Sequence, residues 1–149
     1  MSGAIVVGTD GSDTARRAVD EAVRLSRALD SELHVVTAYK ALRGARVVGA
    51  PEGAAEVWGP LPDDLARSII EEAGARVRAT GITVTTHLLE RDPADALLTV
   101  ADEVDAELII VGSQGMAGAK RLLGSVPNKV SHNARRNVLI VSTDEARAV

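Results

Sequence analysis

The sequence predicts an α/β protein: a doubly wound, Rossmann-like parallel sheet of five strands with helices on both faces. Five short apolar runs rich in β-branched residues alternate with segments of helical periodicity, in the order β-α-β-α-β-α-β-α-β. Three of these runs are apolar nearly throughout, which is typical of parallel strands covered on both faces. The 149 residues suit one domain with a single sizeable core, so we expect residues 1–149 to form one domain.

The five predicted strands differ in their hydrophobic pattern. The first, fourth and fifth are the apolar ones, whereas the third alternates between apolar and polar residues and is therefore expected at or near a sheet edge. The strands are predicted at residues 4–8, 33–38, 82–89, 108–112 and 138–141.

The first predicted helix follows the first strand and has Ser12 or Asp13 as its N-cap. Its apolar stripe should face the sheet, because residues spaced by three and four share one side of a helix. The stripe comprises Ala15, Ala18, Val19, Ala22, Val23, Ser26 and Leu29. A second helix is predicted from about residue 63 to 80, stopping at Gly81, which accepts the left-handed conformation after a helix end.

The third predicted helix begins with Asp92 as N-cap and Pro93 at its first position, where a missing N–H is tolerated. A fourth, shorter helix is predicted over residues 126–134. The third helix is expected to turn inward the apolar residues Ala94, Leu97, Leu98, Ala101 and Val104.

Right-handed crossovers place helices on both faces of such a sheet, but periodicity alone leaves two strand orders open, 2-1-3-4-5 and 3-2-1-4-5. Either order puts a ligand crevice at the carboxyl ends of the strands, where the strand order reverses. Residues 40–61 carry several glycines and prolines without a sustained pattern, which predicts a mobile loop. A functional lid and an insertion without a role both remain open for it.

Composition excludes several classes of protein. The formal net charge of -4 argues against a protein that wraps nucleic acid, and Tyr39 and Trp58 are too few aromatics for a base-stacking platform. The absence of cysteine excludes disulfides, zinc–thiolate sites and thiol nucleophiles. No apolar run approaches the ~18 residues that span a bilayer, and the first residues lack a basic signal-peptide region. We therefore expect a soluble, cytoplasmic protein.

Residues 112–125 form a glycine-rich run between the fourth strand and the fourth helix. Glycines allow the backbone to approach a ligand closely, and Gly124-Ser125 at the helix start adds free N–H donors, the positive end of the helix dipole and a hydroxyl. These parts suit a phosphate group. The alternative is a plain strand-to-helix connection in which the glycines serve tight turning.

The segment after the first strand, Gly8-Thr9-Asp10-Gly11-Ser12, should face the same crevice. Asp10 can accept hydrogen bonds from a ribose or base, or hold a phosphate-bound Mg²⁺ through oxygen ligation. The alternative is that Asp10 and Ser12 only cap the first helix and its turn.

Catalytic and metal patterns are not apparent in the sequence. His34, His87 and His132 lack metal-like spacing and are assigned to structural roles. No nucleophile–base pair is visible, so the sequence gives no support for catalysis.

The whole chain resembles the universal stress protein family, in which the same motifs occur in the same order. The resemblance lies in Val6-Val7-Gly8-Thr9-Asp10-Gly11-Ser12, Asp92-Pro93-Ala94-Asp95-Ala96-Leu97, Gly112-Ser113-Gln114-Gly115, Leu123-Gly124-Ser125-Val126 and Val138-Leu139-Ile140-Val141. It implies an adenine nucleotide α-hydrolase-like sheet in 3-2-1-4-5 order and a homodimer formed through the last strands. Members with the pattern G-x2-G-x9-G-(S/T) bind ATP, and some relatives prefer cyclic AMP.

Carried over by position, the resemblance also implies a set of binding residues. The phosphates would be surrounded by Gly112, Gly115, Gly124 and Ser125, with Val126 beside them. The base and ribose would be lined by Thr9 and Asp10. The backbone near Ala38 would contact the edge of the adenine, and Val111 would form part of the wall around the base. The chain departs from the family pattern at one place, because eight residues instead of nine separate Gly115 from Gly124. We expect residues 116–121 to absorb the deletion, although a reshaped pocket for a smaller ligand is the alternative.

The sequence thus predicts a homodimeric universal stress protein that binds an adenine nucleotide, ATP with Mg²⁺, as a sensor or regulatory partner in the stress response. Any turnover should be slow, at most that of a weak ATPase. Two alternatives are a cyclic-AMP-binding stress protein and an interaction module without a nucleotide. The protein partners are not identified by the sequence.

Overall fold

In the described part of the chain, five parallel strands form one sheet and four helices cover its two faces. A computed structural model describes residues 3–40, 62–113 and 124–142. The strands are β1 (Ala4–Gly8), β2 (Glu32–Tyr39), β3 (Val84–Glu90), β4 (Leu108–Gly112) and β5 (Asn137–Val141). The helices are α1 (Asp13–Leu29), α2 (Asp63–Arg78), α3 (Pro93–Glu103) and α4 (Ser125–Asn133). Within these ranges no helix combines the length and apolar character needed to cross a membrane.

The strand order is β3-β2-β1-β4-β5, and every neighbouring pair is parallel. This order confirms the one that the family resemblance implied and decides between the two that periodicity left open. β3 lies at one edge, as its alternating pattern predicted, and β5 lies at the other. β3 begins at Val84, so the predicted start at Ile82 is two residues early.

The two faces of the sheet bury separate cores because alternate residues of each strand point to opposite sides. Ile5 and Val7 of β1 pack on the side of α1 and α2. Val6, between them, packs on the side of α3 and α4. All three are fully buried. The sheet is therefore covered on both faces, which explains why β1 and β4 are apolar throughout.

The start of α1 confirms Ser12 as its N-cap, since the Ser12 hydroxyl accepts from the Ala15 N–H at 3.1 Å. The predicted apolar stripe is buried from Ala15 to Ser26. Leu29 is the exception: its side chain is 47% exposed, so its inward placement is wrong. Leu29 is the last residue of α1, and the chain turns at Asp30, which has a left-handed conformation (φ 52). Because of this turn, the Leu29 side chain lies beyond the edge of the core.

The predicted ends of the later helices are accurate to within two residues. α2 ends at Arg78, because the N–H groups of Thr80 and Gly81 bond three residues back in a tighter turn. Gly81 has the predicted left-handed conformation, with φ 87. At α3, the Asp92 side chain accepts from the Asp95 N–H and Pro93 opens the helix, as predicted.

His34 and His87 form a hydrogen-bonded pair on the α3 side of β2 and β3. The distance from His34 Nδ1 to His87 Nε2 is 2.9 Å. His34 is buried, and its Nε2 lies 3.6 Å from Glu32 Oε2. Burial, followed by the charge of His34, lowers the pKa of His87, while Glu103 of α3 opposes the shift. The pair therefore ties the edge strand to the sheet.

We expect the free energy of unfolding to fall as the pH drops from about 7 to 5. The pKa of His87 is lower in the folded protein than the ordinary histidine pKa of about 6.5. Below about pH 6.5 the unfolded chain therefore binds more protons at His87 than the folded chain does, and acid favours unfolding. Urea unfolding at a series of pH values measures this slope. His87→Gln should flatten it, whereas His132→Gln, at a histidine on the exposed surface of α4, should not. Identical slopes in the wild type and His87→Gln would contradict the expectation.

Candidate functional site

The candidate site lies where the strand order reverses, at the carboxyl ends of β1 and β4. The chain leaves β1 toward β2 on one side, and it later returns from β3 to place β4 on the other side of β1. Loops that leave adjacent strands in opposite directions open a crevice between them. Thr9 to Ser12 follow β1 at this point, and Ser113 follows β4.

The β1–α1 loop is fixed by hydrogen bonds to β2 and within itself. The Thr9 N–H donates to the Val36 carbonyl, and the Thr37 hydroxyl donates to the Thr9 carbonyl, each at 3.0 Å. The Gly11 N–H donates to Thr9 Oγ1 at 3.2 Å. Thr9 is buried by these contacts. The predicted base and ribose side of the crevice therefore has a defined backbone.

Asp10 is partly buried and uses one carboxylate oxygen within the loop. Its Oδ1 accepts from the Ser12 N–H at 3.0 Å, which is an Asx turn leading into α1. Within the described residues, the hydrogen bonds and ion pairs leave Oδ2 without a protein partner. The capping alternative and the ligand-binding alternative are thus compatible, because the two oxygens can serve different purposes.

Ala38 lies beyond the end of β1 and is buried. The last β1–β2 pair is Gly8 with Val36, so Ala38 extends two residues farther. In a parallel sheet the N–H and C=O of one residue point to the same neighbour, and alternate residues share that side. Since the Val36 carbonyl bonds to Thr9, the backbone groups of Ala38 also face the β1 side, at the crevice.

The start of α4 is anchored directly to the end of β4. The Ser113 N–H donates to the Val141 carbonyl and the Gly124 N–H donates to the Ser113 carbonyl, both at 2.9 Å. Because Pro127 has no N–H, the first turn of α4 leaves two backbone donors, those of Ser125 and Val126, without partners inside the helix. α4 begins one residue before its predicted start.

Among the described residues, neither backbone conformation nor packing requires a glycine at position 124. Its φ of -61 and ψ of 165 are extended values that other residues adopt. A Cβ at Gly124 would meet Ser113 O at 3.4 Å and Pro127 Cδ at 3.5 Å, which is ordinary contact. Glycine at this position also leaves the backbone open to close approach by a ligand.

The other predicted residues are placed as follows. Val111 is buried in the core on the α3 and α4 side, and Gly112 ends β4 beside Val141 of β5. Gly115 and the shortened spacing to Gly124 lie outside the described residues, and so do residues 41–61 of the predicted loop.

In the described part of the chain no cluster of three or more His, Asp or Glu side chains is arranged to hold a metal ion. Asp10 and ligand phosphates together are the oxygen ligands that would suit Mg²⁺ at this place.

A small cavity of about 50 Å³ lies between α1 and α2, next to the β1–α1 loop. Both arginines that line it form ion pairs. Arg16 pairs with Asp13 and with Glu72, and Arg76 pairs with Asp20. It is too small for a nucleotide, whose pockets are several times larger. The cavity is lined by Thr9, Gly11, Arg16, Val19, Ile69, Glu72, Ala73 and Arg76.

Sequence reasoning did not identify Thr37 or Ser113 as residues that shape the site. Ser113 joins β4, β5 and α4 through its backbone, which no side-chain pattern can indicate. Thr37 had a weak signal, because it is the polar residue in an otherwise apolar stretch of β2 after His34.

Comparisons with known proteins agree with the motif resemblance. The model of the universal stress protein family matches residues 1–142. A universal stress protein of Mycobacterium tuberculosis is 39% identical over 145 residues, which cover 93% of this chain and 95% of the relative. One from Methanocaldococcus jannaschii is 31% identical over 139 residues, covering 92% of this chain and 80% of the relative.

Two solved structures are similar in fold and carry adenine nucleotides. A universal stress protein in complex with cAMP is 38% identical, with a TM-score of 0.69, and the match covers 95% of this chain and 98% of that one. The universal stress protein of Archaeoglobus fulgidus in complex with dAMP is 28% identical, with a TM-score of 0.67, over 93% of this chain and 96% of that one.

Proposed function

The chain belongs to the universal stress protein family, and on that premise we propose that it binds an adenine nucleotide in the crevice between β1 and β4. The anchored start of α4 is the observation that carries the proposal. Its Ser125 and Val126 N–H groups lie at the positive end of a helix that is tied to the end of β4. A phosphoryl group is the chemistry that this arrangement suits.

The opposite wall of the crevice supplies groups for a base and a sugar. Asp10 Oδ2 is an acceptor for a ribose hydroxyl or a base amino group, and the backbone of Ala38 can pair with a base edge. Aliphatic contact from the side of Val111 would take the place of aromatic stacking. The proposal therefore assigns the base and ribose to the β1–β2 side and the phosphate to the β4–α4 side.

We favour ATP with Mg²⁺ as the ligand, because the chain keeps the family's glycines and the following serine although the spacing from Gly115 to Gly124 is one residue shorter. Binding of ATP without fast turnover would make the protein a nucleotide sensor or a regulatory partner. Cyclic AMP is the second candidate. The structure that carries cAMP is 38% identical, and the two free N–H groups at the start of α4 suit one phosphoryl group. Both candidates share adenine, ribose and one phosphate at the proposed contacts.

Calorimetric titration of the full chain with ATP in the presence of Mg²⁺, and separately with cyclic AMP, tests the proposal. We expect saturable one-site binding of at least one of them, and a loss of about tenfold or more in Gly124→Val, where bulk would cover the α4 donors. Gly124→Ala fits in ordinary contact and controls for folding. Absence of binding by both nucleotides, with no nucleotide found by mass spectrometry of the freshly purified protein, would contradict the proposal.

We further propose that two chains associate through β5. β5 is an edge strand, and its apolar residues Val138 to Val141 are only partly buried. An apolar strand with an open edge is a surface that proteins normally pair or cover. A second copy of β5 would do both.

Ile140→Lys should convert the dimer to a monomer in sedimentation equilibrium at micromolar concentration. Ile140 is partly buried on β5, so the substitution places a charge on the apolar surface of the proposed contact. Thr85→Lys, at an exposed position of the other edge strand, is the control and should leave the mass unchanged. A monomeric wild-type chain, or an unchanged dimer in Ile140→Lys, would exclude β5 as the contact.

A further inference from the structure

Thr37 places a buried hydroxyl at the point where β1 stops pairing with β2. The residue is 1% exposed and lies on the same side of β2 as the apolar residues Leu33 and Val35. Burial of a hydroxyl is unfavourable unless it forms a hydrogen bond, and here it donates to the Thr9 carbonyl at 3.0 Å. A valine would fill nearly the same volume without this requirement, so the hydroxyl has a specific partner rather than only a packing role.

The Thr9 carbonyl is the acceptor that a continuing parallel ladder would give to Ala38. The Thr9 N–H bonds to the Val36 carbonyl, and the next bond of the regular pattern would run from the Ala38 N–H to the Thr9 carbonyl. Among the described residues no backbone hydrogen bond joins Ala38 to the β1–α1 loop. The Thr37 hydroxyl occupies the carbonyl instead. The ladder therefore ends one bond early.

We propose that Thr37 is a positioning residue of the nucleotide site: its hydroxyl caps the Thr9 carbonyl and leaves the Ala38 N–H free for the edge of the base. This inference rests on the proposed adenine-nucleotide function. The same hydrogen bond fixes the backbone next to Asp10, whose Oδ1 is held by the Ser12 N–H. One buried hydroxyl thus orients the two groups assigned to the base and ribose.

Three variants separate this role from a purely structural one. Thr37→Val removes the donor at similar volume, Thr37→Ala removes it with less side chain, and Thr37→Ser keeps it. We expect the Ala38 amide of the ligand-free protein, followed by NMR-detected hydrogen exchange, to exchange about tenfold more slowly in Thr37→Val and Thr37→Ala than in the wild type, because it takes over the Thr9 carbonyl. Thr37→Ser should exchange like the wild type.

Calorimetric affinity for ATP or cyclic AMP supplies the second measurement. We expect a loss of about tenfold in the two hydroxyl-free variants and recovery in Thr37→Ser, which corresponds to one hydrogen bond. Wild-type exchange at Ala38 in the hydroxyl-free variants would overturn the inference, as would unchanged affinity in them, or an equal loss in Thr37→Ser. If the wild type binds neither nucleotide, the proposed function fails, and the exchange rates still decide whether Thr37 ends the ladder.

Discussion

An Asp10→Asn variant will bind the nucleotide at least tenfold more weakly than the wild-type chain and will unfold at nearly the same urea concentration. Asparagine keeps an Oδ1 that can accept from the Ser12 N–H, so the turn into α1 remains. It replaces the other carboxylate oxygen by an NH₂ donor. A ribose hydroxyl or base amino group that donates to Oδ2 would then face a second donor, and the lost charge-assisted bond costs about 1.5–3 kcal/mol.

Two further substitutions make this result specific. Asp10→Ala should lose the affinity and also about 1 kcal/mol of stability, because it removes the acceptor of the Ser12 N–H as well. Asp105→Asn is the matched control: Asp105 precedes β4 at the opposite end of the sheet, its side chain is fully exposed, and asparagine accepts its φ of 50. Calorimetry gives the affinities and urea unfolding the stabilities. Wild-type affinity in Asp10→Asn would remove Asp10 from the site.

The positions of the strands along the chain were largely predictable from the sequence, whereas the first residue of β3 was not. Runs such as residues 4–8 and 108–112 match β1 and β4 residue for residue, because strands buried on both faces are apolar up to the points where they leave the sheet. The third run keeps its alternation from Ile82 onward, but pairing begins only with Leu33 against Val84. Ile82 packs against the core without joining the ladder. A strand start depends on where its neighbour begins, and periodicity within one strand does not contain that information.

In the candidate site, too, some features were predictable from the sequence and others were not. Thr9, Asp10 and Gly124 were predicted to be near one another because parallel strands bring their carboxyl ends to one edge, whatever the details of the sheet. The pairing of His34 with His87 and the bond from Thr37 to Thr9 depend on the register between strands distant in sequence. Threonine is common in strands for its β-branched shape, so its hydroxyl gives no separate signal. Side chains that act across strands were therefore found only in the fold.

Gly11→Ala will destabilise the fold by about 2–4 kcal/mol, the largest effect on stability expected from adding one methyl group in the β1–α1 loop. Gly11 has a φ of 82, where a residue with a Cβ is strained by about 1 kcal/mol. A Cβ there would also lie 2.9 Å from Ile69 Cγ1 and 3.0 Å from Ile69 Cδ1 of α2. Relief of such contacts requires the Ile69 side chain to change rotamer, or α2 or the loop to shift, which costs about 1–3 kcal/mol more.

Gly81→Ala separates these two contributions because it shares the conformation and lacks the contact. Gly81 has a φ of 87, and a Cβ there would meet no atom within 4 Å, so we expect a loss of about 1 kcal/mol from backbone strain alone. Urea unfolding measures both variants. Removing the obstructing side chain gives the decisive comparison: Gly11→Ala in an Ile69→Ala background should cost about as much as Gly81→Ala, a coupling of about 1 kcal/mol or more between Gly11 and Ile69. Equal losses for Gly11→Ala with and without Ile69 would mean that the loop, rather than its packing against α2, sets the requirement for glycine beside Asp10.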